Sequence, residues 1–150
     1  MNFTVLSVDA AKETTFDAVR NDKPLVVDFW NTRCVKCPAA LTKMDLLAAD
    51  FVGRVTFAAC ALSLNSTSEG TLEHVGELVT DAFPNLRQLY MDYETKEKLK
   101  VALEFSALPF AAVYDSAGNL VCKGDPMTDE FSTALRMFLD SVPDSAQRGR

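Results

Sequence analysis

The sequence has one histidine and one tryptophan, and its charge has no positive excess: the formal net charge is −6. That balance argues against nucleic acid or an anionic membrane as a main partner. Charges of both signs are spread along the chain, which serves solubility, and an acidic surface of this kind suits a basic partner face. No apolar run is long enough to cross a bilayer. The opening stretch "MNFTVLSVDAAKETTF" lacks the basic region and apolar core of a secretory leader. It also lacks the arginine enrichment of a mitochondrial one, so a cytoplasmic, reducing setting is expected. There is no internal repeat and no low-complexity segment. Of the four cysteines only two are close together. Zinc would need a second ligand pair, and Cys60, Cys122 and His74 are scattered singly, so no metal site and no cofactor is expected. His74, read as a surface side chain on a predicted helix, leaves a Cys–His hydrolase unsupported.

The pattern that is present is that of one domain over residues 1–143, followed by a flexible tail at 144–150. The stretch "TVLSV" reads as a short strand. "DAAKETTFDAVRND" reads as a helix with Asp9 as N-cap and Ala11, Phe16 and Val19 buried. "KPLVVDFW" is a continuous apolar strand, of the type covered on both faces. Beyond Cys37, Leu41, Met44, Leu47, Ala48 and Phe51 recur at helical spacing, and Gly53 ends that helix. "RVTFAACALSL" is a second central strand. Residues 65–105 are richer in polar side chains and are read as two helices. One carries the stripe Leu72, Val75, Val79 and Phe83. The other, capped by Thr95, buries Leu99, Ala102 and Leu103. "FAAVYDSAGNLVCKG" predicts a hairpin turning at residues 117–119. A last helix starts at Thr128 or Asp129, with Phe131, Leu135, Phe138 and Leu139 on one face. Strands alternating with helices imply crossover connections, a parallel core and helices on both faces: an α/β domain with a central mixed β-sheet.

Within "VVDFWNTRCVKCPAAL", Cys34 and Cys37 are separated by Val35 and Lys36. A redox pair, half a zinc site, a static disulfide and two inert core residues all compete for this spacing. The location favours the first. Cys34 falls where a strand ends and a helix begins, and a helix N-terminus stabilises a thiolate. Cys37 would lie in the first turn, close enough to close a disulfide. Arg33 and Lys36 add positive charge beside the pair. Asp28 lies inside the apolar strand, flanked by Val26, Val27, Phe29 and Trp30. A carboxyl buried there would have a raised pKa and could exchange protons with a neighbouring thiol. Pro109 opens a β-rich run, a position where proline is confined to strand starts. The sequence alone leaves the isomer of the Leu108–Pro109 bond open.

Taken together, the strand ending "DFW", the C-x-x-C at a helix start, the "LPF" step, "VYDSAGNLV" and Gly124 resemble the thioredoxin superfamily, from about Val5 to Val142. The resemblance implies a thioredoxin fold with an extra helical insertion, about residues 65–105, before a cis-proline. It implies that Cys34 is the exposed nucleophile, Cys37 the buried resolving thiol and Asp28 the proton carrier. It implies that Trp30 packs beside the site and that Pro109 faces the disulfide. The Leu108 backbone would then pair with substrate, and Arg33 would lie on the substrate side. The insertion looks most like the branch holding cytochrome-maturation thiol reductases, tryparedoxins and nucleoredoxins. The chain departs from plain thioredoxin at Arg33, at Val35-Lys36, at Thr42 and at Ala59, where a lysine facing the buried carboxylate is usual.

The expected function is a thiol–disulfide oxidoreductase, a monomer acting on protein disulfides and recharged by an upstream reductase or a low-molecular-weight dithiol. A rival reading, motivated by those departures, is a thioredoxin-fold adaptor with little or no redox turnover. A peroxidase is a third: Thr32 and Arg33 are near Cys34, but the two-thiol spacing suits disulfide exchange better. Cys60 and Cys122 are expected as buried, inert thiols, with Cys122 the more open to regulation if its strand is an edge.

Overall fold

The run Leu25–Trp30 forms a strand whose six residues are all buried, so it has to lie inside a sheet with both faces covered. The structure, a computed structural model, describes residues 2–143; the tail expected at 144–150 lies outside the described residues. In chain order the elements are β1 (Thr4–Ser7), β2 (Glu13–Thr15), α1 (Phe16–Arg20), β3 (Leu25–Trp30), α2 (Cys37–Ala48), β4 (Thr56–Leu62), α3 (Leu72–Val79), β5 (Arg87–Met91), α4 (Tyr93–Leu103), β6 (Phe110–Tyr114), β7 (Leu120–Gly124) and α5 (Asp129–Ser141). The strands form one sheet in the order β2-β1-β5-β4-β3-β6-β7. β3, β4 and β5 run parallel at its centre. β6 is antiparallel to β3, and β7 to β6.

Side chains alternate across β3 and divide the core in two. Val26 and Trp30 join the cluster with Cys37, Leu41 and Met44 of α2 and Phe131, Leu135 and Leu139 of α5. Val27 and Phe29 join the other, with Phe16 and Val19 of α1 and Leu99 and Leu103 of α4. Asp28 shares the Val26–Trp30 face, the one that α2 covers. This register, not the helix itself, decides which face of the sheet meets the cysteines.

Three expectations are corrected. Residues 9–20 are not one helix. The chain turns through Ala11, which is exposed at φ 51°, and returns as β2, with Val5 opposite Thr14. The β-branched Thr14 and Thr15 pair along β1, and the Thr15 hydroxyl, not Asp9, accepts from the Ala18 N–H to cap α1. The inserted region holds a strand as well as its two helices. β5 lies between β1 and β4, and its five residues are too few, in polar surroundings, to show period-two alternation. On α4 the cap is Asp92, whose carboxylate accepts from the Thr95 N–H at 2.8 Å. Leu99 and Leu103 are buried there, whereas Ala102 is exposed.

Gly70 fixes the entry to α3. It adopts φ +65°, and an added Cβ would meet the Leu64 Cγ at 2.9 Å. Gly70→Ala is expected to destabilise the fold by about 1–2 kcal/mol, read as a shift in the denaturant midpoint; an unshifted midpoint would show that Leu64 yields freely.

Candidate active site

The N-terminus of α2 carries no side-chain cap: Lys36 occupies the cap position without a capping hydrogen bond, and the first turn holds no acidic residue. Pro38, near the helix start, has no N–H to satisfy. The positive end of the helix dipole is therefore left for whatever anion forms at the cysteines. Cys34 and Cys37 are joined by a disulfide, with Cα atoms 5.4 Å apart. Backbone bonds from Cys34 N–H to the Asn31 carbonyl and from Cys37 N–H to the Cys34 carbonyl, both 3.3 Å, shape the loop. The two sulfurs are inequivalent. Cys37 is fully buried, while Cys34 is half-buried and borders an open cleft. Only Cys34 is placed to meet a large partner.

Asp28 is 1% exposed, and neither carboxylate oxygen has a hydrogen-bond partner. Its neighbours across the sheet are Ala59 on β4 and Ala111 on β6, so alanine stands where a balancing cation would have to come from. Burial drives the Asp28 pKa well above the ordinary carboxylate range, and the charge of Asp125, just past β7, pushes it further in the same direction. Nothing in the sequence around Asp125 marks it as a neighbour of Asp28. Its position follows from the pairing of Ala111 with Gly124, which no local pattern reveals.

Arg33 does not add free charge to the cysteines. Its guanidinium is 2.7 Å from Glu69 in the inserted region. That hydrogen bond and charge hold the Glu69 carboxyl below its usual range and raise the arginine. Glu69→Gln should release the arginine and remove a nearby negative charge. In the reduced variant the pH midpoint for alkylation of Cys34 is then expected to fall; an unchanged midpoint would show that this ion pair is electrically remote from the thiol.

Trp30 is 6% exposed and packs with Cys37 in the α2-side core. It supports the site from beneath and offers a substrate little surface. The Leu108–Pro109 bond is cis and immediately precedes β6. Leu108 lines the same cleft as Cys34, Arg33 and Lys36, so the cleft brings together the expected residues of the α2 start and of the step before β6; Asp28, Trp30 and Pro109 are not among its lining residues, and Trp30 meets Cys37 in the core beneath. Lys96, Lys100 and Phe105 also line this cleft of about 360 Å³. Nothing local in the chain marks them beyond the lysine spacing of α4. His74 is half-buried rather than free on the surface: its Nδ1 accepts from the Gly70 N–H at 2.9 Å. Cys60 is buried, and burial pushes its thiol pKa far up. Cys122 is only half-buried, on the edge strand β7. Among the described residues no three His, Cys, Asp or Glu side chains converge to hold a metal, and no helix is long and apolar enough to cross a membrane.

At the level of sequence, no family model and no curated relative matches the chain. Solved structures do. An exposed lipoprotein thioredoxin of Streptococcus pneumoniae superposes with a TM-score of 0.71 at 20% identity, covering 95% of this chain and 100% of that one. A thiol:disulfide interchange protein from Bacteroides sp. gives a TM-score of 0.75 at 13% identity, over 94% of this chain and 88% of that one. A secreted disulfide oxidoreductase of Mycobacterium tuberculosis gives 0.65 at 18% identity, over 90% and 95%. The chain has the thioredoxin fold: a central mixed sheet with helices on both faces and an insertion ahead of the cis-proline.

Proposed function

We propose that this protein is a thiol–disulfide oxidoreductase that reduces protein disulfides through Cys34 and Cys37. The observation that carries the reading is the asymmetry of the pair: Cys34 borders the cleft at an uncapped helix start, and Cys37 is buried on the face of the sheet that holds Asp28. In the reduced state the Cys34 thiolate attacks one sulfur of the partner disulfide. A mixed disulfide forms and the first partner thiolate leaves. Asp28, as carboxylate, takes the Cys37 proton. The Cys37 thiolate then attacks the Cys34 sulfur, re-forming the Cys34–Cys37 bond and releasing the second partner thiolate. Two electrons pass to the partner, and an upstream reductase or a small dithiol restores the pair.

The proposal locates this reaction in the cytoplasm and in a monomer. The test is turnover: catalytic amounts should accelerate reduction of a test protein disulfide by excess dithiothreitol well above the dithiol alone. No acceleration would favour the adaptor reading.

A further inference from the structure

The net charge of −6 points the wrong way for the cleft beside Cys34. Four cationic side chains line it, Arg33, Lys36, Lys96 and Lys100, and no carboxylate does. Arg33 is already paired with Glu69; the lysines are less committed. Among the described residues Lys36 and Lys96 have no carboxylate within ion-pairing distance. Lys96 donates to the Ser63 carbonyl at 2.8 Å and lies 4.4 Å from the centre of the Tyr93 ring. Partial burial lowers its pKa, the state that a nearby anion relieves. Lys100 stands one helical turn further along α4 and, among the described residues, ion-pairs only with Glu97 of its own helix, at 3.5 Å, an exposed contact that a better-placed anion can replace. Leu62, Phe105 and Leu108 line the same cleft.

We propose that this cleft takes an extended acidic segment flanking the partner's disulfide, with its carboxylates against Lys96 and Lys100 and its apolar side chains against Leu62, Phe105 and Leu108. The inference rests on the reading of Cys34 as the attacking thiol. It reverses the expectation of a basic partner face, because the charge that matters is local. The small anionic disulfide of glutathione satisfies the lysines but has no apolar side chain for the rest of the lining, so a peptide is the occupant.

The test uses the pre-reduced protein in single turnover, which needs no further reductant. Two synthetic disulfide peptides differ only in whether glutamate or lysine flanks the cysteines. The glutamate peptide is expected to react about tenfold faster, the size of two partly exposed ion pairs, with the ratio shrinking in salt. Lys96→Gln/Lys100→Gln should bring the ratio to about one, and Lys96→Glu/Lys100→Glu should invert it, an outcome misfolding cannot produce. Equal rates for the two peptides, or a ratio preserved in the double glutamine variant, overturns the proposal. So does a loss confined to glutathione disulfide, which would make the occupant a small anion. Binding of the glutamate peptide with its cysteines replaced by serine, measured on the oxidised protein, separates the two readings. Charge-selective binding without exchange keeps this site and removes the reductase; exchange without charge preference does the opposite.

Discussion

Cys34→Ser is expected to lower the rate of protein-disulfide reduction by roughly a thousandfold or more, to the background of the added dithiol, because the attacking atom is lost. Cys37→Ser gives a different result. The first attack survives, since Cys34 keeps its place at the uncapped start of α2, but nothing releases the partner. Mixed disulfides through Cys34 should accumulate and be visible by mass on a non-reducing gel, disappearing with excess dithiol. The asymmetry is the informative part. It follows from burial: Cys37 is fully covered while Cys34 borders the cleft. If Cys37→Ser and Cys34→Ser behave alike, the two thiols do not divide the labour in this way. Full activity in Cys34→Ser would remove the mechanism.

Asp28→Asn should make the protein more stable and less active. The folded state holds the Asp28 proton more tightly than the unfolded chain does, because burial raises its pKa and Asp125 adds to the shift. Below the ordinary aspartate value, about 4, both states are protonated and the group costs no charge. Between that pH and the raised folded pKa the folded state carries the extra proton, so stability falls as pH rises. Above the folded pKa the buried carboxylate has its full cost, with neither oxygen hydrogen-bonded. Asparagine cannot ionise. The variant should therefore match the natural protein near pH 4 and exceed it by about 1–3 kcal/mol in alkaline solution, the scale of an uncompensated buried polar group. The same change removes the acceptor of the Cys37 proton, and resolution of the mixed disulfide is expected to slow by roughly 100-fold. Denaturation at several pH values checks the first effect, and single-turnover release of partner thiol checks the second. A stability difference that does not grow with pH would mean that the carboxylate finds a compensating partner on ionising.

The parts of this site that were legible in the sequence are those with a local physical signature. Leu25–Trp30 announces a buried strand because it is apolar on both faces, and that makes Asp28 conspicuous. The cysteines are legible because helical spacing begins as the strand ends. Pro109 is legible because proline is restricted at a strand start. What stayed hidden depends on long-range pairing. Glu69 lies 36 residues from Arg33, and nothing near it marks it as an arginine partner, so Arg33 read as free charge beside the thiols. Asp125 reaches the environment of Asp28 only through the registers of β3 with β6 and β6 with β7. β5 is a strand because β1 and β4 leave a place between them. The cleft-facing lysines of α4 are spaced like any solvated helix face, and only the packing of Leu99 and Leu103 onto the sheet turns them toward Cys34.

Whether Cys34 and Cys37 cycle between dithiol and disulfide is decided by a redox titration of the purified protein in glutathione buffers, with thiols trapped by alkylation and counted by mass and with Cys34→Ser as control. One reversible two-electron transition is expected, belonging to Cys34 and Cys37 and absent from the control, with a midpoint roughly between −270 and −180 mV, the span from thioredoxin to disulfide isomerase. With Arg33 held by Glu69, the midpoint should lie toward the reducing end of that span. No reversible transition, or one confined to Cys60 and Cys122, would mean that Cys34 and Cys37 are not a redox pair.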